Sequence, residues 1–172
     1  AGIDCMKRSN GMIINARLAT MRTGLGVYGL VEQAAIAWKD GIIVYAGPMK
    51  DMPELPDIPA HHVEDAHHRW ITPALIDCHT HLVFAGDRAV EFERRLEGVS
   101  YEQIAREGGG IISTVKQTRD ASEEELFAQS LPRLQNLIRE GVATLEIKSG
   151  YGLTFESERK MLVVARRLAE HT

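Results

Sequence analysis

The sequence predicts an α/β chain in two parts: a small β unit over residues 1 to about 70, then parallel βα units from residue 71 to 172. Three observations carry this. Short apolar runs before residue 50 are punctuated by an Asp-Gly turn signal. After Pro73 the pattern changes to strand, helix, strand, helix, the order of parallel units joined by crossovers. Both later strands carry polar side chains on one face near their C-terminal ends, where an α/β barrel opens its site.

Each element follows from local chemistry. In the first part, Met12–Ala16, Ala34–Trp38 and Ile42–Ala46 read as strands. Lys39-Asp40-Gly41 joins the last two, and Asp-Gly favours a two-residue hairpin turn with positive φ. Gly47-Pro48 ends the third strand, and a proline-rich loop from Met52 to Pro59 lacks hydrophobic periodicity. In the second part, residues 75–82 read as a strand entered through Pro73. A loop follows, then a short helix over Tyr101–Arg106 begun by Ser100, and a break at Gly108-Gly109-Gly110. Ser122 with Glu125 three residues on is a capping-box signature for a longer helix. Its apolar positions are Phe127, Leu131, Leu134 and Ile138, with Pro132 expected to bend or divide it and Gly141 to stop it. Val142–Lys148 reads as a strand with Thr144, Glu146 and Lys148 on one face and Ala143, Leu145 and Ile147 on the other. A helix over Phe155–Ala169 closes the chain.

Composition narrows the class. The chain has 172 residues, 44% hydrophobic and 26% charged, with a net charge of -4. That mild acidity supports neither nucleic-acid binding nor attachment to an anionic membrane. No apolar run approaches the ~20 residues of a membrane span, and residues 1–10 lack a signal-peptide layout. Cys5 and Cys78 are too few for a disulfide framework, and Cys78 is expected as a small buried residue of its strand. A cytoplasmic, reduced protein is expected.

The chemistry concentrates at His79-Thr80-His81. On an extended strand His79 and His81 point the same way, with Asp77 and Leu75 on their face. Two imidazoles so placed on a rigid strand suit one metal ion; a lone His-x-His otherwise reads as two histidines on an exposed edge. Glu146 and Lys148 occupy the corresponding end of the later strand. A closed (β/α)8 barrel needs ~250 residues, so the stretch after Pro73 is an incomplete TIM-like barrel. His61-His62 and His67-His68 lie in an irregular stretch without zinc-site spacing and are expected as exposed loop histidines.

Pro73-Ala74-Leu75-Ile76-Asp77-Cys78-His79-Thr80-His81 resembles the first-strand signature of the amidohydrolase superfamily. Gly86-Asp87-Arg88, Glu91-Phe92-Glu93-Arg94-Arg95-Leu96, Gly108-Gly109-Gly110-Ile111 and Lys148-Ser149-Gly150-Tyr151-Gly152 narrow the resemblance to its imidazolonepropionase family. It departs at Ala74, where Gly is usual, and at Ala143, where Thr is common. The resemblance implies strands of a composite β-sandwich over 1–70 and the first βα units of a metal-dependent barrel over 71–172. It implies hydrolytic opening of 4-imidazolone-5-propanoate to N-formimidoyl-L-glutamate in histidine degradation, with one zinc or iron ion on His79 and His81. Further ligands, a His and an Asp, and the catalytic base are expected beyond Thr172, so the 172 residues alone are expected to be inactive.

The same resemblance makes Arg88 and Tyr151 substrate contacts. A guanidinium can grip a carboxylate through two parallel bonds, and the glycines around Tyr151 permit close ligand approach; otherwise one is a solvated charge and the other an aromatic on a turn. Asp77, Glu146, Lys148 and Tyr101 are candidates for the groups behind them, with Lys148 pairing with Glu146 or an anion. A homodimer is compatible with the resemblance. Two rival readings stay open: another ring hydrolase or deaminase of the superfamily, and a noncatalytic partner-binding module.

Overall fold

The computed structural model describes residues 10–55 and 58–171. Cys5, nearly all of the 1–10 stretch and two residues of the proline-rich loop lie outside them. The chain divides into two compact units, Ala1–Pro73 and Ala74–Thr172.

The first unit is a five-stranded mixed sheet. Strands β1 (Gly11–Ala19), β2 (Leu30–Lys39) and β3 (Ile42–Pro48) form an antiparallel meander. Two short strands, β4 (Val63–Asp65) and β5 (Trp70–Ile71), pair in parallel with the other edge of β1. Asp40 and Gly41 both have positive φ, 52° and 75°, as a two-residue hairpin turn of the expected kind requires. The β1–β2 register shifts twice, on either side of Ala16↔Ala34. Asn15 and Gln33, each with positive φ, sit at these bulges and bend the pair. The core is made of small residues, Ala16, Ala34 and Ala66 with Leu18. Strands β4 and β5 escaped the sequence reading because three and two residues show no period. The histidines flank them. His61, His67 and His68 are exposed as expected, whereas His62 is half-buried.

The second unit is α/β. Strand β6 (Leu75–Thr80) pairs in parallel with β7 (Val142–Ile147). Between them run α1 (Ala89–Leu96), α2 (Tyr101–Arg106), α3 (Ile111–Asp120) and α4 (Glu123–Arg139), and α5 (Phe155–Ala169) follows β7. The capping box forms as expected: Ser122 Oγ accepts from the Glu125 amide at 3.2 Å, and the Glu125 carboxylate accepts from the Ser122 amide at 2.8 Å. Pro132 does not divide α4, and Gly141, at φ 95°, follows its end.

Four local expectations give way to packing. Helix α1, where the sequence suggested a loop, has no buried residue and no side-chain cap bond, and its apolar Val90, Phe92 and Leu96 stand exposed. Helix α3 begins at Gly110 and is rich in β-branched residues, which lowers its helix propensity; its buried face is Thr114, Val115 and Thr118. The buried face of α4 is Leu126, Ser130 and Leu134, with Phe127 and Leu131 at its flank, while Ile138 is 44% exposed. Cys78 is exposed rather than buried, because β6 pairs with β7 alone among the described residues and leaves its face open.

The core of this unit joins Leu82, Val83 and Ala85 to Leu126, Leu134, Met161, Val164 and Leu168, with Leu145 and Ile147 of β7 against it. No helix among the described residues is long and apolar enough to cross a membrane. Leu126 is fully buried, so Leu126→Ala should cost about 2–5 kcal/mol of stability. Ile138→Ala should stay within about 0.5 kcal/mol. Equal costs in urea unfolding would reject this assignment of the α4 faces.

Candidate functional site

The parallel pairing sets the C-terminal ends of β6 and β7 side by side, the Lys148 amide donating to the Thr80 carbonyl at 2.8 Å. The expected strand 75–82 is shorter: β6 stops at Thr80, with His79 inside it and His81 just past it. A register shift lies between Asp77 and Thr80. Asp77 Oδ1 accepts from the His79 amide at 3.1 Å, so its carboxylate shapes the strand end. The two imidazoles nevertheless face one another, ring centres 5.4 Å apart and planes inclined by 66°. Two imidazoles bound tetrahedrally to one zinc at ~2.0–2.1 Å have ring centres about 5 Å apart.

His81 is the more enclosed of the two. Its Nδ1 is buried and has no hydrogen-bond partner, an unfavourable state for a polar atom unless a ligand or ion satisfies it. The donor set therefore fits a metal ion such as zinc or iron. Among the described residues, no group of three or more His, Cys, Asp or Glu side chains gathers as a metal site. The pair thus falls one short of the three protein ligands of a catalytic zinc.

The turn after β7 packs on His81. Gly150 has φ 147°, and a Cβ there would lie 3.0 Å from His81 Cε1, so this approach requires glycine. Tyr151 follows, its ring 5.2 Å from that of His81 and 5.8 Å from that of Phe84. Beneath it, Glu146 and Lys148 form a close ion pair. The Glu146 carboxyl is held below the usual range first by its hydrogen bond to Lys148, with the His79 charge a smaller contribution.

Arg88 and Tyr101 belong to a second group. Arg88 Nε donates to Glu91 at 2.8 Å, and the Gly110 amide donates to the other oxygen of Glu91 at 2.8 Å. The Arg88 guanidinium is held above its ordinary pKa by the Glu91 hydrogen bond first, and Tyr101 also reaches it. Burial pushes Glu91 up, but Arg88, the Gly110 amide and Arg94 together bring it below the usual carboxylate range. Glu91 thus ties the start of α1 to the start of α3 and holds the guanidinium by one edge.

Sequence reasoning missed Arg133. It lies on α4, 3.6 Å above the Phe84 ring, and donates from Nη1 to the carbonyls of Leu82 and Phe84 at 3.1 and 2.9 Å. It pins the segment that leaves the histidine pair and the ring on which Tyr151 rests. Its one sequence signal is a charge on a helix whose neighbour Leu134 is apolar. Arg133→Ala should cost about 2 kcal/mol by stranding two carbonyls, and Arg133→Lys should recover only part, since an ammonium lacks the planar fork and stack. Thermal unfolding that ranks Lys equal to Arg would refute the stacking role.

No family model matches the chain. Among curated proteins it is 59% identical over 155 residues to imidazolonepropionase of Mesorhizobium japonicum, covering 90% of this chain and 38% of that protein. It is 60% identical over 155 residues to imidazolonepropionase of Xanthomonas campestris pv. campestris, with the same coverage. A solved structure of molinate hydrolase is 20% identical, with a TM-score of 0.46 over 95% of this chain and 27% of that one. By sequence, the chain is similar along nine tenths of its length to imidazolonepropionases, and it spans 38% of theirs.

Proposed function

We propose that this chain supplies one wall of the active site of a hydrolase that opens 4-imidazolone-5-propanoate to N-formimidoyl-L-glutamate in histidine degradation. The convergence of His79 and His81 beside the Gly150-Tyr151 turn carries this reading, and the similarity to imidazolonepropionases supports it. In it, β6 and β7 are the first strands of a (β/α)8 barrel, and residues 1–70 are strands of a β-sandwich. The enzyme is cytoplasmic and acts on a small molecule, with no nucleic-acid or membrane partner. Homodimer formation is compatible with this assignment.

His79 and His81 would hold one zinc or iron ion, with the remaining ligands and the catalytic base from residues outside this chain. When bound, such an ion supplies Lewis acidity toward a ring carbonyl and acidifies water to a pKa near ~7. The chain's own residues prepare the rest. Gly150 closes on His81 and fixes its ring plane, while Tyr151 presents a phenol beside it for the substrate ring. Arg88, anchored through Nε to Glu91, would offer its guanidinium to the propanoate carboxylate. Lys148 is committed to Glu146 as an ammonium, which keeps it from bridging metals as a carboxylated lysine. Asp77 serves the strand end through the His79 amide, and Tyr101 steadies Arg88.

The variants separate these roles in the full-length protein. His81→Ala should remove metal by elemental analysis. Arg88→Ala should keep the metal and raise KM by about tenfold or more, the loss of a charge-assisted bidentate contact. Full metal content in His81→Ala, or an unchanged KM in Arg88→Ala, would contradict the assignment.

A further inference from the structure

The turn Ser149–Leu153 carries no regular structure and one strained residue, Leu153 at φ 55°, beside Gly150 at φ 147°, yet it places Tyr151 against His81. Such backbone persists only where its surroundings over-determine it. The surroundings here are one carboxylate. Glu158, one turn into α5, accepts from the amides of Gly152 at 2.8 Å and Leu153 at 2.7 Å on a single oxygen. Its other oxygen is buried without a hydrogen-bond partner among the described residues, and the Ser149 side chain and the Gly150 amide lie close enough to favour its charge. Burial pushes the carboxyl up, but these donors bring it below the usual range, so the ionised acceptor is the form the turn selects. The Gly152 carbonyl is taken by Arg119 Nε at 2.5 Å. A Cβ at Gly152 would fall 2.6 Å from the Glu158 nitrogen, so the turn lies directly on the start of α5.

We infer that Glu158 is a positioning residue of the proposed hydrolase, setting the turn that holds Tyr151 in place against His81. This rests on the functional reading above only where substrate is concerned; the hold on the turn stands by itself. The bland alternative is an acidic residue near a helix N-terminus that offsets the macrodipole. Exposed Glu156, in the same turn of α5, does that without touching the site and serves as the control.

The test uses the full-length protein with Glu158→Gln, Glu158→Ala, Glu156→Gln, Tyr151→Ala and the double variant Glu158→Gln/Tyr151→Ala. Glutamine keeps the shape and one acceptor oxygen for the Gly152 and Leu153 amides but not the charge, so it weakens the hold where alanine removes it. Glu158→Gln should raise KM about tenfold with metal content unchanged, and Glu156→Gln should leave KM alone. In the double variant KM should rise by less than about twofold over Tyr151→Ala, because coupled residues do not add. Independently of activity, amide hydrogen exchange at Gly152 and Leu153 should accelerate by about tenfold or more in Glu158→Ala, which removes the acceptor, and by less in Glu158→Gln, which keeps a neutral one. Retained protection of those amides overturns the inference whatever the activity, and so do multiplicative KM effects. Lost protection in the Glu158 variant, with a wild type that opens no imidazolone ring, rejects the functional reading and leaves the hold on the turn standing.

Discussion

The parallel pairing of β6 with β7 is the constraint on which the site depends. Parallel strands end on the same side, so residues about seventy positions apart in sequence arrive together. The Thr80 carbonyl and the Lys148 amide make the last link, and everything beyond it, His81 on one side and Ser149 to Leu153 on the other, is irregular chain. Irregular chain has no ladder to satisfy its polar groups. It needs side chains from the helices behind to do so.

Two helices answer that need with opposite charges. From α4, Arg133 donates hydrogen bonds to carbonyls of the β6 exit and covers the Phe84 ring. Burial lowers its pKa, but a guanidinium stays charged in proteins, so those carbonyls take the place of water. From α5, Glu158 accepts hydrogen bonds from amides of the β7 exit. Carbonyls meet a cation and amides meet an anion. Phe84 and Tyr151, in edge contact, join the two halves, and His81 rests on the result. His81 is thereby held by packing that reaches both α4 and α5.

Much of this was legible in the sequence. The glycines around Tyr151, the Asp-Gly hairpin and the Ser122–Glu125 box each encode a backbone requirement in residue type, and each took the expected form, whereas the strand carrying His79 ends before His81. What escaped shares a different cause. Glu156 and Glu158 look alike in a sequence, and only the fold of the preceding turn makes one a hydrogen-bond acceptor and leaves the other in solvent. Arg133 reads as a solvated helix charge for the same reason. Helix α3 hides its face because Thr114 and Thr118 stand where leucines usually mark it; the buried Thr118 hydroxyl accepts from the Ala85 amide. Cys78 was misjudged because burial of a strand depends on neighbours that the strand's own residues do not name.

The central claim is that this histidine pair and its turn belong to an imidazolone ring hydrolase rather than to a deaminase of similar strand signature. The direct measurement is turnover by the full-length, metal-loaded protein on 4-imidazolone-5-propanoate beside a panel of nucleobases. The account predicts formation of N-formimidoyl-L-glutamate and no release of ammonia from the nucleobases. Turnover confined to the nucleobases would contradict it.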